Sequence, residues 1–204
     1  MLMLSSKSIV TVGAFGFALS LAVAPWAVHG DTVTSDTALS LAVNPVISSY
    51  STGPTVTLGA ITPDTTGKQS TAADTVSANT NDTAGLTISL QEKSAASTAM
   101  IAGANTITTS SGTPAAPAAL TNNNWGWRVD SLAGFGTGPS GTLANAVPSA
   151  LTYAGIPVNG SPFVIKTTSA VGSSSTSVWY SARINNTQPL GTYATTVTYT
   201  IVTN

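Results

Sequence analysis

The chain has no cysteine and one histidine, and only 6% of its 204 residues are charged. Without cysteine there is no disulfide framework, no thiolate nucleophile, no soft metal site and no anchor for a lipoprotein lipid. The single histidine, His29, falls in the stretch expected to be cleaved off, which leaves no imidazole for a nucleophile–base pair or a metal cluster. Ordinary domains are about one quarter charged. Serine and threonine fill the gap here, at roughly three residues in ten, so solubility rests on hydroxyls and amides. Six basic residues over the whole chain make no cluster for nucleic acid and no polybasic patch for anionic lipid. Nucleic-acid binding is excluded on that ground.

What is present begins with a leader. Lys7 precedes an apolar run from Ile9 to Ala24, broken by Gly13 and Gly16, and Val28-His29-Gly30 stands before Asp31. The pattern predicts a cleavable signal peptide over residues 1–30, with Pro25 arguing against a cut after Ala24. The run is short of the 18 or more apolar residues of a spanning helix, so no membrane span is expected after cleavage. Cleavage removes Lys7 and His29 and leaves five basic against seven acidic residues, a net charge of −2. Residues 31–204 are long enough for one core without disulfides, and are expected to form a single domain. No hydrophobic tail or sorting signal follows Asn204, so covalent wall attachment by that route is not expected.

Alternation with a period of two runs through this domain, and no helical stripe stands out. Strands are expected in TALSLAV, PTVTLGA, ADTVSAN, GLTISLQ, SPFVIKTT, TSVWYSARI and GTYATTVTYTIV, with Leu86, Ile88 and Leu90 the clearest inward set. Turn clusters rich in Gly, Pro, Asn and Asp separate them, among them ITPDTTGKQ, ANTNDTAG and INNTQPLG. Short strands at such spacing predict an all-β fold, an antiparallel Ig-like, Greek-key β-sandwich. Two stretches stand apart: TTSSGTPAAPAAL, and a loop insertion at about 131–162, too long for an idle connection.

The segment NNNWGWRVD places Trp125, Trp127 and Val129 on one face of a strand and Gly126, Arg128 and Asp130 on the other. The tryptophans are expected in the core; the alternative is an exposed platform for sugar rings. Arg128 and Asp130 are expected as a solvated outer pair worth under about 1 kcal/mol. Near the end, Gly191-Thr192-Tyr193 has the form of a tyrosine corner, in which the phenol bonds a backbone group upstream. Tyr193, Val197, Tyr199 and Ile201 share the inward face of the strand that follows.

WGWRVD with AGFGTGP, SVWYSARI and PLGTYATTVTYTIVTN resemble a set of secreted surface β-sandwich proteins of small-genome bacteria, over most of the domain. The closing G-T-Y-x-x-T-V-T-Y-T is also similar to the last strands of WxL-type cell-wall domains and of spore-coat-protein-U-like pilins. The chain departs from both: Tyr199-Thr200-Ile201 stands where the first has Trp-x-Leu, and the cysteines usual in the second are missing. The resemblance implies an extracellular, cell-surface location, with peptidoglycan binding or chaperone-assisted assembly.

The domain's acids are Asp31, Asp36, Asp64, Asp74, Asp82, Glu92 and Asp130, most of them in turn-like sequence that suits turn formation better than a paired glycosidase site. No enzyme activity, cofactor or metal is expected. Asn79, Asn81 and Asp82 offer oxygens but lack the spacing of a calcium loop. Lys166, in the apolar FVIK, is the one candidate for a self-made link to an Asn side chain, against the plainer reading of a lysine that snorkels. The function expected is that of a secreted, structural or adhesive surface protein whose partner is a cell-envelope component or a ligand on a host or neighbouring cell. One alternative is a carbohydrate- or peptide-binding module with Phe135, Tyr153 and Phe163 as ligand contacts of the insertion. Another is a pilus-like fibre subunit that self-associates by β-strand addition through residues 31–43, a segment expected rather to cover the edge of the last strand within its own chain.

Overall fold

The computed structural model describes residues 40–139 and 141–204. The expected signal peptide and residues 31–39 lie outside them. The described residues form twelve strands and no helix, an all-β fold. In chain order these are β1 Ile47–Ser51, β2 Lys68–Thr80, β3 Leu86–Glu92, β4 Met100–Ala102, β5 Asn105–Thr109, β6 Ala118–Ala119, β7 Asn124–Arg128, β8 Leu143–Ala146, β9 Thr152–Tyr153, β10 Phe163–Thr167, β11 Gly172–Ile184 and β12 Val197–Thr203.

The larger sheet runs β1-β2-β11-β7-β5-β4, with β8 also paired to β2; a three-stranded sheet runs β10-β3-β12, and β6 pairs with β9. Its spine is the antiparallel pair β2 and β11, matched residue for residue from Gly172 opposite Thr80 to Ile184 opposite Lys68. The other side of β2 is shared: β1 lies along its last residues and β8 along Gln69 and Thr71. One contact is parallel, Thr108 and Thr109 of β5 against Asn124 and Trp125 of β7.

The alternation in GLTISLQ is realised in β3, whose Leu86, Ile88 and Leu90 are fully buried between β10 and β12. They join Val76 and Ala78 of β2, Val178 and Tyr180 of β11, and Trp125 and Trp127 of β7 in one core, to which both sheets contribute. Tyr193, Val197, Tyr199 and Ile201 pack against it as half-buried side chains.

Three sequence expectations are corrected. Ser40 to Val43, the described part of TALSLAV, carries no strand, and Val43 is exposed. PTVTLGA forms no ladder either, although Val56 and Leu58 pack against the core; Gly59 sits against Ala144, where a Cβ would collide. The insertion at 131–162 is not an open loop. It contributes β8 and β9 and buries Phe135, Tyr153, Ala154 and Ile156. Its backbone is tied down by a reciprocal bridge between Trp127 and Ala154 and by Gly155 N–H donating to Gly112 O at 2.9 Å.

Candidate functional site

The W-G-W-R run explains how the insertion is held. Trp127 is fully buried, its ring 5.4 Å from Phe135 edge-on and 5.7 Å from Phe163. Both indole N–H groups are used: Trp125 Nε1 donates to Thr98 O at 3.0 Å and Trp127 Nε1 to Gly155 O at 2.9 Å. Gly126 faces the other way. A Cβ there would lie 2.7 Å from Ala154 O and 3.0 Å from the Tyr153 Cβ, so only glycine lets the insertion settle on this face of β7.

Arg128 is the main departure from expectation. It is not a solvated outer residue: it is 1% exposed, beneath the insertion. The guanidinium carbon lies 5.9 Å from the ring centres of both Phe135 and Tyr153. Nη1 donates to Thr152 O at 3.2 Å, Nη2 donates to Gly136 O at 2.5 Å, and Nε donates to Asp130 Oδ1 at 3.2 Å. A planar fork of donors suits this task, because it satisfies two carbonyls and a carboxylate at once while lying close to two aromatic rings.

Phe135, Tyr153 and Phe163, the expected ligand contacts, therefore form no exposed groove. Phe135 and Tyr153 enclose Arg128, 4% and 0% exposed, and Phe163 is half-buried against Trp127. Tyr153 also reaches β2, its hydroxyl accepting from Gln69 Nε2 at 3.2 Å. Gln69 Nε2 donates to Ser181 Oγ at 2.8 Å, and Ser181 Oγ lies 2.8 Å from Thr71 Oγ1. This buried network of neutral groups was invisible in the sequence, where Gln69, Thr71 and Ser181 read as ordinary polar positions.

The C-terminal tyrosines occupy two settings. Tyr193 donates its hydroxyl to Pro189 O at 2.7 Å and accepts from Gln188 Nε2 at 2.7 Å, the upstream backbone bond of a tyrosine corner. The Tyr199 hydroxyl meets that of Tyr180 at 2.7 Å between the sheets. Burial pushes both phenols well above their ordinary range, and the charges of Asp74 on both and of Glu92 on Tyr180 act in the same direction. Asp74 accepts from Gly53 N–H at 2.6 Å, and Glu92 Oε1 accepts from Thr195 Oγ1 at 3.0 Å.

Lys166 is exposed on β10, so it lacks the burial that a spontaneous link to an Asn would need. Asn81 Oδ1 accepts from Val46 N–H at 2.7 Å, tying down the segment before β1, and Asp82 Oδ1 accepts from Ala84 N–H at 2.8 Å within the β2–β3 turn. A surface cavity of about 430 Å³ opens between the loop 94–99 and Thr108, Thr109 and Asn159, lined by small and hydroxylated side chains. A smaller groove of about 190 Å³ runs past Leu58, Met100, Pro189 and Tyr193.

One backbone feature is open. β12 pairs with β3 on one side, and no other described strand lies along its other side. Comparison with models of protein families, with characterised proteins and with solved structures gave no match to the chain.

Proposed function

We propose that the protein is a secreted, non-enzymatic element of the bacterial cell surface, structural or adhesive in role, built as an Ig-like, Greek-key β-sandwich. The observation that supports this reading is where its bulk is spent. The five aromatic side chains from Trp125 to Phe163 and the guanidinium of Arg128 all serve to fasten the insertion and the strands to one another. The exterior carries many hydroxyls and amides, little charge and scattered apolar side chains such as Tyr50, Val147 and Leu190, a surface suited to lying against other envelope material. The partner is then a component of the envelope, or a ligand on a neighbouring or host cell, met by sheet and edge surfaces rather than by an aromatic cleft.

Fractionation of the native cells with an antiserum tests this reading. The chain is expected in the envelope and culture-medium fractions, with Asp31 as its first residue by N-terminal sequencing. A chain found mainly in the cytoplasm with its first thirty residues intact would overturn it.

A further inference from the structure

Edge strands are hazards that proteins blunt with charge, proline, bulges or brevity. Most edges here are blunted in one of these ways. β10 carries Lys166 and a register break between Val164 and Lys166. β1 breaks register between Ile47 and Ser49, and β8 pairs through a break between Gln69 and Thr71 of β2, with Asn145 at φ 50°. β4 has three residues, and Ile101 is bridged to Ala194. β12 has none of these. Its seven residues, VTYTIVT, pair with β3 without a break and include no charge and no proline.

The register says which groups are free. Thr196 O accepts from Lys93 N–H and Asn204 N–H donates to Gly85 O, so the even-numbered backbone groups face β3. The odd-numbered ones, at Val197, Tyr199, Ile201 and Thr203, point to the open side. The side chains at these odd positions are half-buried toward the core, while Thr200 and Val202 are exposed on the outer face.

We propose that β12 pairs antiparallel with β12 of a second copy of the chain, about a two-fold axis through Thr200. In this register Val197 faces Thr203 and Tyr199 faces Ile201 as hydrogen-bonded pairs, giving about eight backbone bonds from the four pairings. Thr200 meets its own counterpart, and Thr198 meets Val202, as the closer, non-bonded pairs on the outer face. No like charges are opposed, which few edges can offer their own copy. A partner must itself bring a free edge, and every other described strand has its ladder filled, broken or guarded. The two three-stranded sheets become one six-stranded sheet in a closed, isologous dimer.

The absence of cysteine makes the register testable. Non-bonded antiparallel pairs hold their Cα atoms at about 4.5 Å, within disulfide reach. Under mild oxidation of the whole secreted chain, Thr200→Cys is expected to give a covalent dimer. Thr198→Cys and Val202→Cys, each alone, are expected to stay largely uncrosslinked, and an equimolar mixture of the two to crosslink. Light scattering after size exclusion is expected to show the parent as a dimer and Thr200→Lys as a monomer that still folds and melts cooperatively, since residue 200 is exposed. A parent that is monomeric, or a dimer indifferent to Thr200→Lys and to the cysteine positions, overturns the proposal. Multimers larger than two that fall to folded monomers on removal of residues 31–43 also overturn it, and assign the edge to a neighbour's leading segment. These outcomes are read on purified protein, so they fail or hold independently of where the cell places the chain.

Discussion

Arg128 shows how much one side chain can decide. Three of its donors go to Thr152 O, Gly136 O and Asp130, and its guanidinium carbon lies 5.9 Å from two ring centres. Its removal takes a donor from each of two part-buried carbonyls, of which Gly136 O keeps the Ser131 N–H at 3.2 Å, and removes the side chain packed beside Phe135 and Tyr153. Arg128→Ala is expected to cost roughly 2–4 kcal/mol, from lost charge-assisted hydrogen bonds and lost packing, because the Asp130 carboxylate left behind is 38% exposed. Arg128→Lys should recover only part of this, because one ammonium cannot span both carbonyls and the carboxylate. Denaturant unfolding of the three proteins checks both statements; a lysine variant as stable as the parent would show that charge alone suffices. Trp127→Ala is expected to cost about 3–5 kcal/mol for a different reason, a cavity between Phe135 and Phe163. A Trp127→Ala protein that melts with the parent would return the indole to the surface.

At the scale of elements, the insertion at 131–162 is where sequence and structure part most. Its Gly and Pro content and its length read as a mobile recognition loop, yet it carries two strands and four buried side chains. The strong period-two runs were legible: GLTISLQ is β3, and WGWR does put its tryptophans inward, because alternation is a local property of the chain. The burial of Arg128 was not legible, because it depends on a segment distant in sequence folding over the outer face of β7. The hairpin of β4 and β5 also went unread, its MIA and NTITT too short and too polar to stand out beside their neighbours. Hydrogen exchange separates the two views of the insertion. The amide of Ala154, donated to Trp127 O, and that of Gly155, donated to Gly112 O, are expected to be protected like those of β7. Exchange within seconds at both would restore the mobile loop.

For the whole molecule, scarcity of charge sets the response to pH. Among the described residues only two ion pairs occur, Lys68 with Asp64 and Arg128 with Asp130. Asp64 is held below its ordinary carboxylate range, first by the Thr66 hydroxyl and then by Lys68, but it lies in the open, so its loss on acidification should be felt weakly. The alkaline side differs, because Tyr180 and Tyr199 sit hydroxyl to hydroxyl between the sheets. Burial raises both phenols, and an unfolded chain would release the same protons near pH 10. Below about pH 10 both states keep these protons and stability is unaffected. Above it the unfolded state has lost protons that the folded state retains, so stability falls as pH rises. The chain should therefore hold a level stability through neutral pH and lose it steeply beyond about pH 10, with tyrosinate absorbance from this pair appearing only on unfolding. In Tyr180→Phe/Tyr199→Phe the loss above pH 10 should become shallower, at the cost of some stability at neutral pH from the lost hydrogen bond. A double variant with the same alkaline slope as the parent would place the source of that loss elsewhere in the molecule.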